Sequence, residues 1–226
     1  MNVTALLPMK GNSERVPNKN MKPFGGAPLY HAIFKVLAAS KFIDFVVIDT
    51  DSKVIAEDAK KTFGDKVIII SRPESIQGDY VSMNDIIKYD LSQLEGTHFL
   101  QTHSTNPLLL SDTLDEGIQY YFDSIGKDCD SVFSVTRLQA RLYDKTGKPV
   151  NHDPNELRRT QDLEPLFEEN SNFYIFSKEA FAKAGNKRIG LKPSVFEVNK
   201  LEAVDIDEPE DFVLAELLYN DLRSNS

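Results

Sequence analysis

The chain predicts an α/β fold, a mostly parallel sheet with helices on both faces (Rossmann-like) carrying a protruding insertion. Three observations lead there. Short apolar runs alternate with helical patterns as far as Val135. The runs are nearly continuous rather than alternately polar, as in strands covered on both faces. The first run opens into a loop bearing Gly11 and several cations, a feature of ligand-binding strand ends in such sheets.

Taken in order, residues 3–7 form the first buried strand, and Pro28 suits the first turn of a helix with Ile33, Phe34 and Leu37 on one face. Residues 45–48 make the next strand, Ser52 caps a second helix, and residues 67–70 return as strand. A helix over 82–94, a strand over 98–100, a helix over 112–122 and a strand over 131–135 complete the regular part. From Thr136 the alternation stops for about thirty residues, too long for an idle connection. That stretch holds a hairpin-like turn at 144–149 and a polar tract at 151–169, and reads as a functional flap or a dimer arm. Strands at 173–176 and 201–206 follow, then a helix from about Pro209 with Phe212, Leu214, Ala215, Leu218 and Leu222 toward the core. No repeat, low-complexity tract or linker interrupts the chain, so residues 1–226 are expected to form one domain with an insertion at about 137–170.

The 226 residues, 41% of them hydrophobic, suffice to bury a full core. A formal net charge of −9 argues against nucleic acid as a partner and against an anionic membrane surface, so an anionic ligand would need a local cationic pocket. Cys129 is the only cysteine, which excludes an intramolecular disulfide and a Cys-based zinc site. No leader pattern opens the chain and no apolar run approaches a membrane span, so a cytoplasmic protein with no membrane partner is expected.

The loop after the first strand supplies such a pocket. Lys10, Arg15 and Lys19 are spaced through it, and Gly11, Asn12 and Ser13 can present backbone N–H groups to a polyphosphate. It is neither a Walker A loop nor a dinucleotide fingerprint, since the Gly-Lys-Ser/Thr and G-x-G-x-x-G spacings are absent. Near the other end, Asp205 and Asp207 would point the same way from a strand, an arrangement that suits a hard cation and equally a cap for the following helix.

The tract Pro8-Met9-Lys10-Gly11-Asn12-Ser13 followed by Arg15-Val16-Pro17-Asn18-Lys19-Asn20 closely resembles the nucleotide-binding motif of the acylneuraminate cytidylyltransferases. Further segments match that family in order: Thr50-Asp51-Ser52, Arg72-Pro73, Leu100-Gln101, Gln161-Asp162-Leu163 with Asn170 and Tyr174, and Asp205-Ile206-Asp207. The resemblance spans nearly the whole chain. It implies transfer of CMP from CTP to a 2-keto sugar acid with release of pyrophosphate, a reaction that needs positioning and charge neutralisation rather than a protein nucleophile.

By this resemblance Lys10, Arg15 and Lys19 hold the triphosphate and Asn20 lies beside the reacting phosphate. Gly11, Asn12 and Ser13 belong to the CTP site, and Arg72 and Ser82 read cytosine. Gln101, Arg141, Gln161 and Tyr174 face the acid acceptor, Asp205 and Asp207 hold Mg2+, and the chain forms a homodimer whose arm reaches the partner. Lys10 stands where the family usually has Arg, residues 102–107 lengthen a short turn, Thr160 replaces an Arg, and Arg188-Ile189 replaces an aromatic pair. These departures leave the acceptor open between a sialic-acid-like nonulosonate, 3-deoxy-manno-octulosonate and another small acid. A catalytically silent nucleotide-binding protein is the remaining alternative. His103 has no evident acid-base partner and reads as structural.

Overall fold

Strands that are apolar on both faces must be covered on both, and this chain supplies the cover by alternating strand and helix. The computed structural model describes residues 1–224. In chain order they form β1 (Val3–Leu6), a small β2–β3 hairpin (Pro23–Phe24, Ala27–Pro28), α1 (Tyr30–Ala39), β4 (Ile43–Thr50), α2 (Lys53–Phe63) and β5 (Val67–Ser71). Then come α3 (Met83–Gln93), β6 (His98–Gln101), α4 (Ser111–Ser124), β7 (Ser131–Leu138), β8 (Leu166–Ser177), α5 (Lys178–Lys183), β9 (Pro193–Glu197) and α6 (Pro209–Ser224).

The main sheet runs β5-β4-β1-β6-β8-β7-β9, with β8 antiparallel to both neighbours and the other pairings parallel. Strand periodicity divides its residues between two cores. Val46 and Ile48 pack with Ile33, Phe34 and Leu37 of α1, Ile55 of α2 and Leu114 and Ile118 of α4. Val47, between them in sequence, packs on the other face with Ile87 and Leu91 of α3 and Phe181 of α5. A third, smaller core lies beyond the carboxyl edge of the sheet, where Val16, Phe24, Leu29 and Ala32 meet Ile206, Phe212 and Ala215.

Ser52 caps α2 as expected, accepting from the N–H of Ile55, and Ser82, expected as the first helical residue, caps α3 by accepting from the N–H of Asn84. Three expectations are corrected. Pro28 ends β3 instead of opening α1, which starts at Tyr30 after Leu29. Residues 201–206 are not a strand: they turn over the sheet edge through Ala203 N–H to Asn199 O and Val204 N–H to Leu201 O, and β9 takes the edge position beside β7. Ile206 is buried in the third core, so its apolar character reflects that core and not sheet pairing. On α6, Phe212 and Ala215 are buried but Leu214 and Leu222 are 52% and 44% exposed, because the third core is narrow and accepts only the stripe that continues to Tyr219.

The expected insertion is an arm. β7 and β8 continue their pairing from Val135↔Glu169 to Leu138↔Leu166, and the tip beyond includes the turn at 144–149, closed by Asp144 N–H to Lys148 O.

Gly117 of α4 faces Phe173, and a Cβ there would stand 2.6 Å from the ring, which is fully buried. In an exposed helix Gly→Ala stabilises by about 1 kcal/mol. Here overpacking reverses the sign, and Gly117→Ala is expected to destabilise by about 1–3 kcal/mol in urea denaturation. A more stable variant would show that the ring yields freely.

Candidate active site

From β1 the chain builds outward through β4 and β5, then returns to lay β6 on the other side of β1. The loops after β1 and β6 therefore part at the carboxyl edge, and the crevice between them is where such sheets bind ligands. A cleft of about 360 Å3 opens there, walled by the first loop, by Arg72 and Asp79, by the start of α3 and by residues 103–105.

The first loop has its own internal logic. The Gly11 N–H donates to Asp51 Oδ1 at 2.6 Å, and a Cβ on Gly11 would come within 2.9 Å of Ser52 Cβ. The glycine serves close approach to the start of α2, and its amide is turned to Asp51, contrary to the expectation that it faces a phosphate. Asn12 is exposed and Ser13 lines the cleft. Asn18 adopts the left-handed conformation (φ 53°) and starts a 3-10 turn that carries Lys19 and Asn20 inward. Asn20 is fixed at both ends of its amide, donating to Lys10 O at 3.0 Å and accepting from Ser104 Oγ at 2.6 Å. The Lys19 ammonium donates to Ile206 O; burial lowers its pKa, against the opposing pull of Asp207 and Asp205. Arg15 bridges to Asp207 at 2.7 Å and Glu208 at 3.1 Å, and Lys10 pairs with Asp79.

Asp205 and Asp207 flank buried Ile206 at the cleft rim. Surrounding protein raises the Asp205 pKa, as does the charge of Asp207, while a hydrogen bond from Thr105 and the charge of Lys19 oppose the rise. Ahead of α6, Asp211 Oδ2 accepts from the N–H groups of Asp207 and Glu208 at 3.1 and 2.8 Å, the N3 half of a capping box. Among the described residues no cluster of three or more His, Cys, Asp or Glu side chains could hold a metal. Two carboxylates beside the cations of the first loop nonetheless fit Mg2+, which prefers few protein ligands with phosphate oxygens and water completing its shell.

On the opposite wall Arg72 is buried. Its Nε pairs with Asp49 and its Nη2 donates to Asp49 O at 3.2 Å, while among the described residues Nη1 has no acceptor. The Ser82 hydroxyl accepts from Asn84 N–H at 3.2 Å, so it serves the helix cap, and Val81 and Met83 on either side line the cleft.

Beyond His103 lies a network that local sequence does not reveal. Arg188 lies over the Tyr174 ring at 3.6 Å, donates from Nη1 to Gln101 Oε1 at 2.6 Å and lies 3.3 Å from His103 Nε2. Glu169 accepts from Tyr174 Oη and stands 3.6 Å from Arg188. Gln101 donates its remaining amide to Thr102 O, so the side chain is oriented by its surroundings. Asn170 is committed to Thr136 Oγ1 and Asn172 N–H. Arg141 binds Thr160 Oγ1 and Arg158 O within the arm, and neither it nor Gln161 lines the cleft of its own chain. Of the cleft groups, sequence reasoning missed Asp79 and Ser104, which carry no motif; His103, read as structural, is part of the wall.

A family profile described as cytidylyltransferase matches residues 4–223. The pseudaminic acid cytidylyltransferase of Campylobacter jejuni is 26% identical over 95% of this chain and 94% of its own length. The N-acylneuraminate cytidylyltransferase A of Danio rerio is 29% identical over 95% of the chain, which spans about half (50%) of that relative. Among solved structures, a CMP:2-keto-3-deoxy-manno-octonic acid synthetase complexed with CTP superposes with a TM-score of 0.71 at 12% identity, covering 98% of this chain and 100% of that one, a likeness of fold. The fold is that of a nucleotidyltransferase. The chain belongs to the acylneuraminate cytidylyltransferase family.

His103 generates a prediction. Burial first, then the Arg188 and Lys19 cations, push its pKa down to about 3. The ordinary value is about 6.5. The folded state thus binds fewer protons than the unfolded one between those values, and the stability present above about 6.5 drains away as pH falls. Compared with His103→Gln, the wild-type folding constant is expected to drop at least about tenfold more between pH 7 and pH 5. Equal losses in urea denaturation at the two pH values would place a protonated imidazole in the wall.

Proposed function

We propose that the chain transfers CMP from CTP to a sialic-acid-like nonulosonate, releasing pyrophosphate. The observation that carries this reading is the convergence of Lys10, Arg15, Lys19 and Arg72 on one cleft at the topological switch point, with Asp207 paired to Arg15 and Asp205 acting on Lys19 beside it. The relatives support the acceptor class, one being a pseudaminic acid cytidylyltransferase and another an N-acylneuraminate cytidylyltransferase.

Lys10, Arg15 and Lys19 bind the triphosphate and offset charge on the departing pyrophosphate. Lys10 holds one carboxylate and Arg15 two, and exchanging them for phosphate costs little because all three pairs are solvent-accessible. Asn20, fixed through Lys10 O and Ser104, keeps the loop's polar groups at a set distance from the reacting phosphate. The free Nη1 of Arg72 faces the base, whose O2 and N3 are acceptors. Asp205 and Asp207 would hold Mg2+, which when bound neutralises phosphate charge and acidifies the attacking hydroxyl. Gln101 and Tyr174 are fully buried outside the cleft lining, so their part in acceptor binding is to hold the Arg188 guanidinium. The arm carrying Arg141 and Gln161 serves the site of a second copy in a homodimer, in keeping with its distance from the cleft of its own chain. A cytoplasmic location fits this reading, and no helix of the described residues is long and apolar enough to cross a membrane.

The direct test is incubation with CTP, Mg2+ and a panel of nonulosonates and 3-deoxy-ulosonates, with mass spectrometry of the CMP conjugate. CTP should be preferred over UTP, ATP and GTP, and equal turnover of a purine nucleotide would sink the cytidylyltransferase reading. Asp207→Asn should lower turnover by at least about a hundredfold while the fold survives.

Nucleotide and acceptor defects should separate along the chain. Lys19→Ala should weaken CTP binding or slow transfer at saturating acceptor. Arg141→Ala should mainly raise the acceptor KM and leave CTP affinity near normal. Loss of CTP binding in a folded Arg141→Ala dimer would put the arm in the nucleotide pocket.

A further inference from the structure

Behind the cleft wall, three ionisable groups share one buried space with a single positive charge among them. Arg72, Asp49 and Asp90 are all buried, with Asp49 on β4, Arg72 just after β5 and Asp90 on α3. Asp49 spends one carboxylate oxygen and its backbone carbonyl on the Arg72 guanidinium. Its other oxygen, Oδ2, and both oxygens of Asp90 are fully enclosed and have no hydrogen-bond donor. Three enclosed carboxylate oxygens without a donor, on two residues whose carboxyls meet, call for a proton between them, because a second uncompensated negative charge in that space is strongly disfavoured.

We propose that Asp90 is a positioning residue: a neutral carboxyl that donates its proton to Asp49 Oδ2 and so fixes Arg72 in the cleft wall, an inference that rests on reading this cleft as the nucleotide site. With that proton the pair carries one negative charge, matched by Arg72. Asp49 is then held from both sides, by Arg72 on Oδ1 and by Asp90 on Oδ2, and cannot rotate away from the guanidinium. Arg72 Nε and Nη2 are locked by the same contact, which leaves Nη1 as the donor for the base. The charged groups acting on Asp90 are Asp49 and Arg72; burial, then Asp49, push its pKa up to about 9, and Arg72 opposes the rise.

Two measurements test this. The first uses calorimetry with CTP and with inorganic tripolyphosphate, which shares the phosphates but has no base. Asp90→Asn, whose amide can still donate to Asp49, should bind CTP within about threefold of wild type. Asp90→Leu should lose at least about tenfold in CTP affinity while tripolyphosphate binding stays within about threefold. Wild-type CTP affinity in Asp90→Leu, or equal loss of both ligands, would overturn the positioning role. Should Asp90→Leu not fold, raising the pH from 8 to 10 provides the same contrast: CTP binding should weaken relative to tripolyphosphate in wild type and not in Asp90→Asn. Parallel behaviour of the two proteins would overturn the role.

The second measurement reads the proton itself. A carboxyl raised from its ordinary value binds its proton in the folded state alone, so its contribution to stability falls as pH rises from about 4 to about 9. The ratio of the Asp90→Asn folding constant to that of wild type should grow by about tenfold per pH unit between pH 6 and 8 in urea denaturation. A flat ratio would show two ionised carboxylates and end the proposal. Wild-type protein that binds CTP no tighter than tripolyphosphate would instead sink the nucleotide reading, and the role of Arg72 with it, while the stability ratio would still report the shared proton.

Discussion

The smallest core sets the geometry of everything in the cleft. Val16 and Ile206 are brought together with Phe24, Leu29, Ala32, Phe212 and Ala215, although nearly the whole chain separates them. Each lies next to charge in sequence: Arg15 precedes Val16, and Asp205 and Asp207 flank Ile206. Burying the apolar residue therefore places the charged neighbour at the rim. Fully burying a side chain such as Val or Ile contributes about 1.5–3 kcal/mol. An exposed ion pair such as Arg15–Asp207 contributes about 0–1 kcal/mol. The apolar anchors decide where the first loop lies, and the ion pairs adjust to it.

The two walls of the cleft differ in how firmly their cations are held. On the side of the first loop, Lys10 and Arg15 are paired with carboxylates that remain in contact with solvent, and such partners exchange readily. On the other side, Arg72 and Asp49 are enclosed, and breaking that pair would strand a buried charge. Arg188 is intermediate, tied to Gln101, His103 and Tyr174 across three parts of the chain. A protein of net charge −9 thus keeps its cationic cleft balanced by local carboxylates, with a fixed wall and an exchangeable one.

The central strands were readable because burial on both faces leaves uninterrupted apolar runs, and Ser52 announced its helix through a cap that local sequence alone can form. The alternation at 201–206 misled for a physical reason: Ile206 is apolar on account of the third core, which has no sequence period of its own. β9, opened by Pro193 and partly exposed along its length, offered no comparable run. On α6 the stripe that packs is Phe212, Ala215 and Tyr219, narrower than its leucines suggest. In the candidate site the cations of the first loop were legible from spacing, whereas their partners were not. Asp79 lies 69 residues from Lys10 and Asp207 lies 192 from Arg15, so these pairings exist only once the sheet is assembled.

The arm leaves the sheet as an extension of two strands already paired, with both cores closed below it. Doubling the length of a flexible loop costs only about 0.6 kcal/mol of closure entropy, so the tip beyond Leu138 and Leu166 can lengthen, shorten or change its surface with little penalty to the fold. The architecture thus separates evolvability from stability. A peripheral hairpin can acquire new contacts while the cleft stays anchored to a scaffold that does not feel the change.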